Sequence, residues 1–499
     1  MRPITADVIE LTSTHVSAIV FAFSTFGVTF IHSGIRRPPQ ASLESPTTSG
    51  SSSHSYYVVF HVMSASRRVV ISGMGLVSPL GNDRATFWDA IRGGKSGIRP
   101  LTLVPTEALP VDSGGEAVDF TGHISNFGEL EAAQKKQIRK GLKVMCREIQ
   151  MGVAASQMAF QDANLSTEAI DKERTGVVFG SDYIMTMPAE FEEGVRSCLN
   201  DPKEFEFERW ADDGLSKVTP LWLLKYLPNM PACHVAIYND LRGPSNSITV
   251  REASSNLAIA EAWCTIERGH ADAIITGATG SRIHPIKTVH VALQEELAQE
   301  NGDPTRICRP FDAQRTGMVV GEGAGAFLLE EKSVAEARGA TIMGEIVGYG
   351  SSAVIDRNFV ARRDTAIANS MRQALQMAGM TPDQIGHVNA HGLGSIKCDR
   401  DEAKAINEIF GERSSPVPVV ALKSYTGNVG AGGGSIELAA SIQAMHEGQL
   451  FSTLNYEHPD PDCAINVVAT NDVSAGSSVM NVSVSAQGQA SALIVTMPA

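Results

Sequence analysis

From residue 67 onward the chain alternates short apolar runs with longer stretches whose apolar residues recur every three to four positions. The short, β-branched runs predict strands at 68–73, 175–180, 273–277, 324–330, 342–350, 387–390, 417–422, 479–485 and 492–497. The helical period predicts helices at 84–92, 137–161, 256–268, 364–377, 401–410 and 435–448. Strands alternating with amphipathic helices predict an α/β layered fold with both faces of its sheets covered. No internal sequence repeat is visible. The stretch 182–231 departs from this rhythm, being rich in Glu, Trp, Phe and Met without a clear period. It predicts an excursion that caps the core, the kind of insertion that shapes a substrate mouth or a subunit contact.

The first 66 residues look separate. Residues 11–35 carry no Asp, Glu, Lys or Arg, and 16–31 are rich in Val, Ile and Phe, so a membrane anchor is one reading. Ser17, Ser24, Thr25, Gly27 and Thr29 dilute that run. A secretory signal wants a basic start, whereas Asp7 and Glu10 outnumber Arg2, and Arg36-Arg37 leads into a Pro/Ser/Thr/Gly-rich stretch at 38–55. The expectation is a disordered or non-native extension with an apolar stretch, because Met63 stands just before the patterned chain.

Composition narrows the function classes. Of 499 residues, 43% are hydrophobic and 19% charged, a globular balance. The net charge of −14 has the wrong sign for holding a nucleic-acid backbone, so no nucleic-acid partner is expected. Seven cysteines without any C-x-x-C pair indicate neither a disulfide framework nor a zinc site. A reducing cytoplasm follows, with no metal and no cofactor expected.

Two glycine-rich runs invite a phosphate reading. Gly321-Glu322-Gly323-Ala324-Gly325 precedes a strand and lacks a following Lys-Ser/Thr, so close backbone approach explains it better than a P-loop. The run from Gly427 to Gly434 precedes a helix but has no nucleotide signature before it, which favours tight packing beside a site.

The chemistry-bearing segments place polar side chains just beyond strands: Ser247 to Ser255, Asn389-Ala390-His391-Gly392, and Lys423-Ser424-Tyr425-Thr426-Gly427-Asn428. Further marks are Val70-Ile71-Ser72-Gly73-Met74-Gly75 with Ser78-Pro79-Leu80-Gly81, then Leu241-Arg242-Gly243-Pro244-Ser245, and Arg309-Pro310-Phe311-Asp312 running to Gly317. In order and spacing these segments resemble the β-ketoacyl-acyl carrier protein synthases, from about residue 67 to the end.

The resemblance implies a thiolase-like fold, a five-layer α-β-α-β-α sandwich of two related halves. It divides the chain into an N-terminal half at 67–325, with an inserted cap at about 182–231, and a C-terminal half at 326–499. It also implies an acyl carrier protein with a phosphopantetheine-bound acyl group as partner, and either a homodimer or a heterodimer with a cysteine-containing ketosynthase. In the family, a cysteine at a helix start takes the acyl group. Two histidines and backbone N–H groups then stabilise the oxygen that gains charge as malonyl is decarboxylated.

Against that pattern the sequence departs. Val250-Arg251-Glu252-Ala253 stands where the cysteine segment is expected, so Glu252 holds the nucleophile position. His391 and Lys423 match, the second histidine position holds Asn428, and the gating phenylalanine of the terminal loop is matched by Ala486 beside Ser485. Ser485, Ala486 and Thr426 are the expected substrate pocket.

A carboxylate is a weak nucleophile toward a thioester, and its adduct would be a hydrolysable anhydride, so ordinary condensation should fail. Glu252 beside Arg251 at a helix start should favour the ionised form, and its bland reading is a carboxylate satisfying vacant helix N–H groups. The bland reading of Lys423 is a buried ion-pair partner, of Glu402 or Asp399 for example, and Cys398 reads better as a buried or incidental thiol than as a substitute nucleophile. Two roles follow: a non-condensing, chain-length-factor-like subunit of fatty acid or polyketide synthesis, or an enzyme on carrier-bound acyl groups. The second covers a malonyl-carrier decarboxylase or a divergent 3-oxoacyl synthase or acyltransferase.

Overall fold

The computed structural model describes residues 67–498, apart from 108, 167–169, 202–203 and 300–301. The extension and anchor expectations for 1–66 lie outside the described residues. Among the described residues, no helix is long and apolar enough to cross a membrane.

Ten strands form the main sheet: β1 (Val69–Val77), β2 (Thr175–Ser181), β3 (Ser245–Thr249), β4 (Ala273–Ser281), β5 (Glu322–Glu331), β6 (Gly344–Ala353), β7 (His387–Asn389), β8 (Val419–Val420), β9 (Ser478–Val484) and β10 (Gln489–Thr496). Their order is β8-β7-β9-β10-β6-β1-β5-β4-β2-β3. The helices used below are α1 (Arg84–Arg92), α2 (Ala132–Gly141), α3 (Arg147–Asp162), α4 (Met230–Asn239), α5 (Ser254–Glu267), α6 (Pro285–Ala292), α7 (Arg363–Ala378), α8 (Ile396–Phe410) and α9 (Gly433–Glu447).

The strand senses repeat. In the first half β1 runs antiparallel to β5, β5 antiparallel to β4, and β4, β2 and β3 run parallel. In the second half β6 runs antiparallel to β10, β10 antiparallel to β9, and β9, β7 and β8 run parallel. The halves meet through a short antiparallel pairing of Val69 to Ile71 with Ile346 to Gly344. Duplication is therefore plain in the topology although the sequence hides it, because only burial pattern and strand sense have to recur, not residue identity.

Helices α5 and α9 touch each other and strands of both halves, while α3 packs on the first half and α7 on the second. This gives the helix-sheet-helix-sheet-helix layering that the resemblance implied. Strands covered on both faces read as unbroken apolar runs, and all nine residues of β1 are buried.

Local differences from expectation have physical causes. The single helix expected at 137–161 is broken after α2, where a β-carbon on Gly141 would lie 1.7 Å from the Tyr238 hydroxyl and Met145 is extended. Strand β3 was missed because Ser-Asn-Ser-Ile-Thr has little apolar alternation and sits at the sheet's end. Helix α6 was missed because its start signal is Pro285 behind His284, whose Nδ1 accepts from the N–H groups of Ile286 and Lys287. The stretch 182–231 holds short helical turns around Phe191, whose ring lies edge-on to Trp222 at 4.8 Å and to Trp210 at 6.2 Å.

One buried group yields a pH prediction. His387 opens β7 fully buried and donates from Nδ1 to the Ala475 carbonyl at 2.8 Å. Burial lowers its imidazole to about 4. The unfolded chain therefore binds the proton first, and stability is lost as pH falls from about 6.5 through about 4, by about 3 kcal/mol from this residue. In His387→Leu, urea unfolding across that window should show a correspondingly flatter acid limb; an unchanged slope would contradict a neutral buried imidazole.

Candidate functional site

Because β2, β3 and β4 are mutually parallel, as are β7, β8 and β9, the loops after their C-terminal ends converge, the usual location of a site in such sheets. Asp182 follows β2, Glu252 follows β3, Arg282 follows β4, His391 follows β7, Lys423 and Asn428 follow β8, and Ser485 and Ala486 follow β9.

Glu252 lies in the single turn that precedes α5, after Arg251, whose φ is +57°. Its side chain is 10% exposed. Oε1 accepts from Arg282 Nη2 at 2.5 Å and from Asn428 Nδ2 at 3.1 Å, while buried Oε2 has no hydrogen-bond partner. Burial works against ionisation, but the Arg282 guanidinium, with help from the Asn428 amide, overrides it and brings the carboxyl to about 2. Glu252 is therefore an anion at neutral pH.

Arg282 is the largest fully buried side chain among those described. Its Nη1 lies 2.5 Å from Asp182 Oδ2. Gly430, at φ +74°, lets the loop before α9 pass over this pair, since a β-carbon there would meet Arg282 Nε at 3.0 Å. The ionic chain continues to Lys287 on α6, 3.8 Å from Asp182 Oδ2 and 3.1 Å from Glu148 Oε1, and burial lifts Glu148 to about 7.

On the other side, Lys423 pairs with Glu437 of α9 and places Nζ 3.2 Å from His391 Nδ1. An ammonium only donates, so Nδ1 accepts and Nε2 carries the imidazole proton. Burial and the neighbouring Lys423 hold His391 well below its ordinary value, hence neutral. The ring thus offers one N–H donor, Nε2, which has no partner among the described residues. Asn428 is fixed by the Gly430 N–H donating to its Oδ1 at 3.0 Å.

The site therefore gathers Glu252, His391, Lys423 and Asn428, all four expected catalytic positions, at one place. Several expected details differ. Glu252 does not cap α5, which has no side-chain cap, because Arg282 offers a full charge instead. Arg251 turns away to Gln294 Oε1 at 2.6 Å and lies over the Tyr183 ring at 4.8 Å. Lys423 pairs with neither Glu402 nor Asp399. Glu402 takes the backbone N–H groups of His391 and Gly392 at 2.7 and 2.8 Å, and Asp399 takes those of Phe311 and Gly394 and lies 3.4 Å from Arg315. Cys398, by contrast, follows its bland reading: it is buried with its thiol pushed well up, the wrong direction for a nucleophile.

Of the expected pocket residues, Ala486 lines a cavity of about 280 Å³ with Gln294, Glu295, Arg363, Ser395 and Lys397. Arg363 pairs with Glu295 there and donates to the Ala486 carbonyl at 3.3 Å. Ser485 is spent closing the turn to Gln489, and the Thr426 hydroxyl bonds within its own turn to Gly427 O at 3.1 Å. Neither lines that cavity. Gly321 follows the close-approach reading, since a β-carbon there would meet Thr426 O at 2.4 Å. Asp182 and Arg282 were missed altogether: no motif spacing links them to Glu252, and an isolated Arg after a strand is silent until the fold closes. Among the described residues no group of three or more His, Cys, Asp or Glu is placed to hold a metal ion.

Comparison with known proteins agrees with this architecture. The profile of the family "Beta-ketoacyl synthase, N-terminal domain" matches residues 66–335, and that of "Beta-ketoacyl synthase, C-terminal domain" matches residues 343–457. The chain is 30% identical over 403 residues to the 3-oxoacyl-acyl-carrier-protein synthase 2 of Synechocystis sp., covering 81% of this chain and 91% of that protein. A β-ketoacyl synthase from Burkholderia phymatum superposes with a TM-score of 0.74 at 28% identity, over 87% of this chain and all (100%) of that one. The ishigamide ketosynthase/chain length factor does so with a TM-score of 0.72 at 26% identity, over the same 87% and 100%. With a duplicated thiolase-like sandwich, a site at the joined strand ends and both family profiles matched, this chain belongs to the β-ketoacyl synthase family.

Proposed function

We propose that this chain is a non-condensing, chain-length-factor-like subunit of acyl-carrier-dependent fatty acid or polyketide synthesis, with Glu252 at the position where relatives carry the acyl-accepting thiol. The observation that carries the reading is the state of Glu252: an anion whose Oε1 is taken by Arg282 and Asn428. A carboxylate so held cannot carry and hand on an acyl chain as a thioester does. Its charge also opposes the carboxylate of a malonyl group.

Acyl carrier protein, named in the Synechocystis relative, is the natural substrate bearer, and the similarity to a ketosynthase/chain length factor structure supports a paired-subunit arrangement. Strand β3 ends the sheet with its outer edge unpaired among the described strands, which suits pairing with a homologous chain.

A second reading rests on His391. Its Nε2–H can donate to a thioester oxygen, which suits a malonyl-carrier decarboxylase or a divergent 3-oxoacyl synthase or acyltransferase. Incubating the purified chain with malonyl- and acyl-carrier protein separates the two readings. We expect no acyl adduct by intact mass and no loss of carbon dioxide from the malonyl carrier. Turnover that Glu252→Ala and His391→Ala both abolish would replace the first reading with the second.

A further inference from the structure

Arg282 is buried to within 1% of full enclosure, between two carboxylates that come from different strand ends. An arginine in that position has no solvent to fall back on and no freedom to leave one partner without stranding the other. Its main chain is pinned as well, with Arg282 N donating to Gly321 O at 2.8 Å and the Thr288 hydroxyl donating to Arg282 O at 2.7 Å. The loop before α9 accommodates it through Gly430. Glu252 answers this geometry with Oε1 doubly bonded and Oε2 sealed from solvent. One carboxylate oxygen is thus engaged by two donors and the other is enclosed.

We propose that Arg282 is the positioning residue of this site: held by Asp182, its guanidinium commits Glu252 to an internal ion pair against Asn428, and that pair occupies the place an acyl group would take. The inference rests on the reading of Glu252 given above, and it deepens that reading by naming what excludes the substrate. Other charged groups also act on Glu252 or feel it. His391 beyond β7 is neutral and adds no charge, while Glu295, Glu437 and Arg363 lie within its electrostatic reach. None of these touches the carboxylate, whereas Arg282 does so with a formal charge.

Difference infrared spectroscopy on the full chain tests the proposal without acyl chemistry, with Glu252→Gln variants assigning the band. In Arg282→Met the Glu252 carboxyl should be protonated at pH 7, giving a carbonyl stretch that disappears in Glu252→Gln/Arg282→Met, as expected of a buried acid without its counter-ion. Arg282→Lys should keep it ionised, like the wild type. A carboxylate still ionised at pH 7 in Arg282→Met would overturn the proposal. Should Arg282→Met fold too poorly for spectroscopy, thermal unfolding decides. Glu252→Gln/Arg282→Met should melt above Arg282→Met, because a glutamine need not take up a proton on folding as the uncompensated acid must; a double variant that melts no higher would refute the coupling. A carrier-protein assay showing turnover, with the infrared result as expected, would overturn the functional reading and leave the ion pair standing.

Discussion

Lys423→Met should lower the unfolding free energy by about 3–5 kcal/mol, the cost of removing one partner from a buried ion pair. The side chains of Lys423 and Glu437 are 3% and 2% exposed. Glu437 Oε2 has no other partner, so the variant leaves a carboxylate in the core of α9 with nothing to balance it. Burial already pushes Glu437 above its ordinary range even with Lys423 present. Without the ammonium, Glu437 must take up a proton on folding. The folded state then binds more protons than the unfolded one above the ordinary glutamate range, so stability falls as pH rises. Urea unfolding should therefore show the deficit widening from about pH 5 to pH 8. Lys423→Met/Glu437→Leu, which neutralises both, should recover most of the loss. A single-variant loss under about 1 kcal/mol, the size of an exposed pair, would mean that this contact is solvated.

The same pair shows which features a sequence can carry. The main-sheet strands other than β3 were legible because burial on two faces forces long apolar runs, and β1, β5 and β10 are buried almost throughout. Helix α1 matched residue for residue, since Asp83 caps it and Gly93 follows it. The expected catalytic positions were legible for a different reason. Glu252, His391, Lys423 and Asn428 sit in short segments of fixed order, and the resemblance carried them without any distance being known.

Their partners were not legible. Glu402 and Asp399 lie close to His391 in sequence and were the natural ion-pair guesses, yet backbone N–H groups claimed them. Glu437, fourteen residues beyond Lys423, took the ammonium instead. Arg251 is the neighbour of Glu252, but its positive φ aims the side chain toward Tyr183 and Gln294. Charge pairing in a layered fold is set by which strand ends meet, and that depends on a sheet order in which β3 and β4 flank β2. Chain proximity has little bearing on it.

Glu252→Cys should give the site a side chain that accepts acyl groups. A thiol there would stand one turn before α5 and beside Arg282, whose second partner would be gone. Helix starts and adjacent guanidinium groups both favour the thiolate, and cysteines so placed ionise between about 4 and 7. The Asn428 amide, freed from Oε1, and His391 Nε2–H would become donors for a thioester oxygen. The shorter side chain also vacates the volume of a carboxyl group. Absorbance of the thiolate, read against the wild-type background of seven cysteines, should give one extra group titrating in that low range. Intact mass after mixing with acyl-carrier protein should show a single adduct in the variant and none in the wild type. Adding Arg282→Met should move the thiol back toward about 8.5 and slow the loading. A low thiol that stays unloaded would shift attention to the neighbouring cavity, where Arg363 pairs with Glu295 and donates to the Ala486 carbonyl. Arg363→Ala should then admit the acyl arm. If it does not, replacing Glu252 alone is not enough to make this site accept an acyl group.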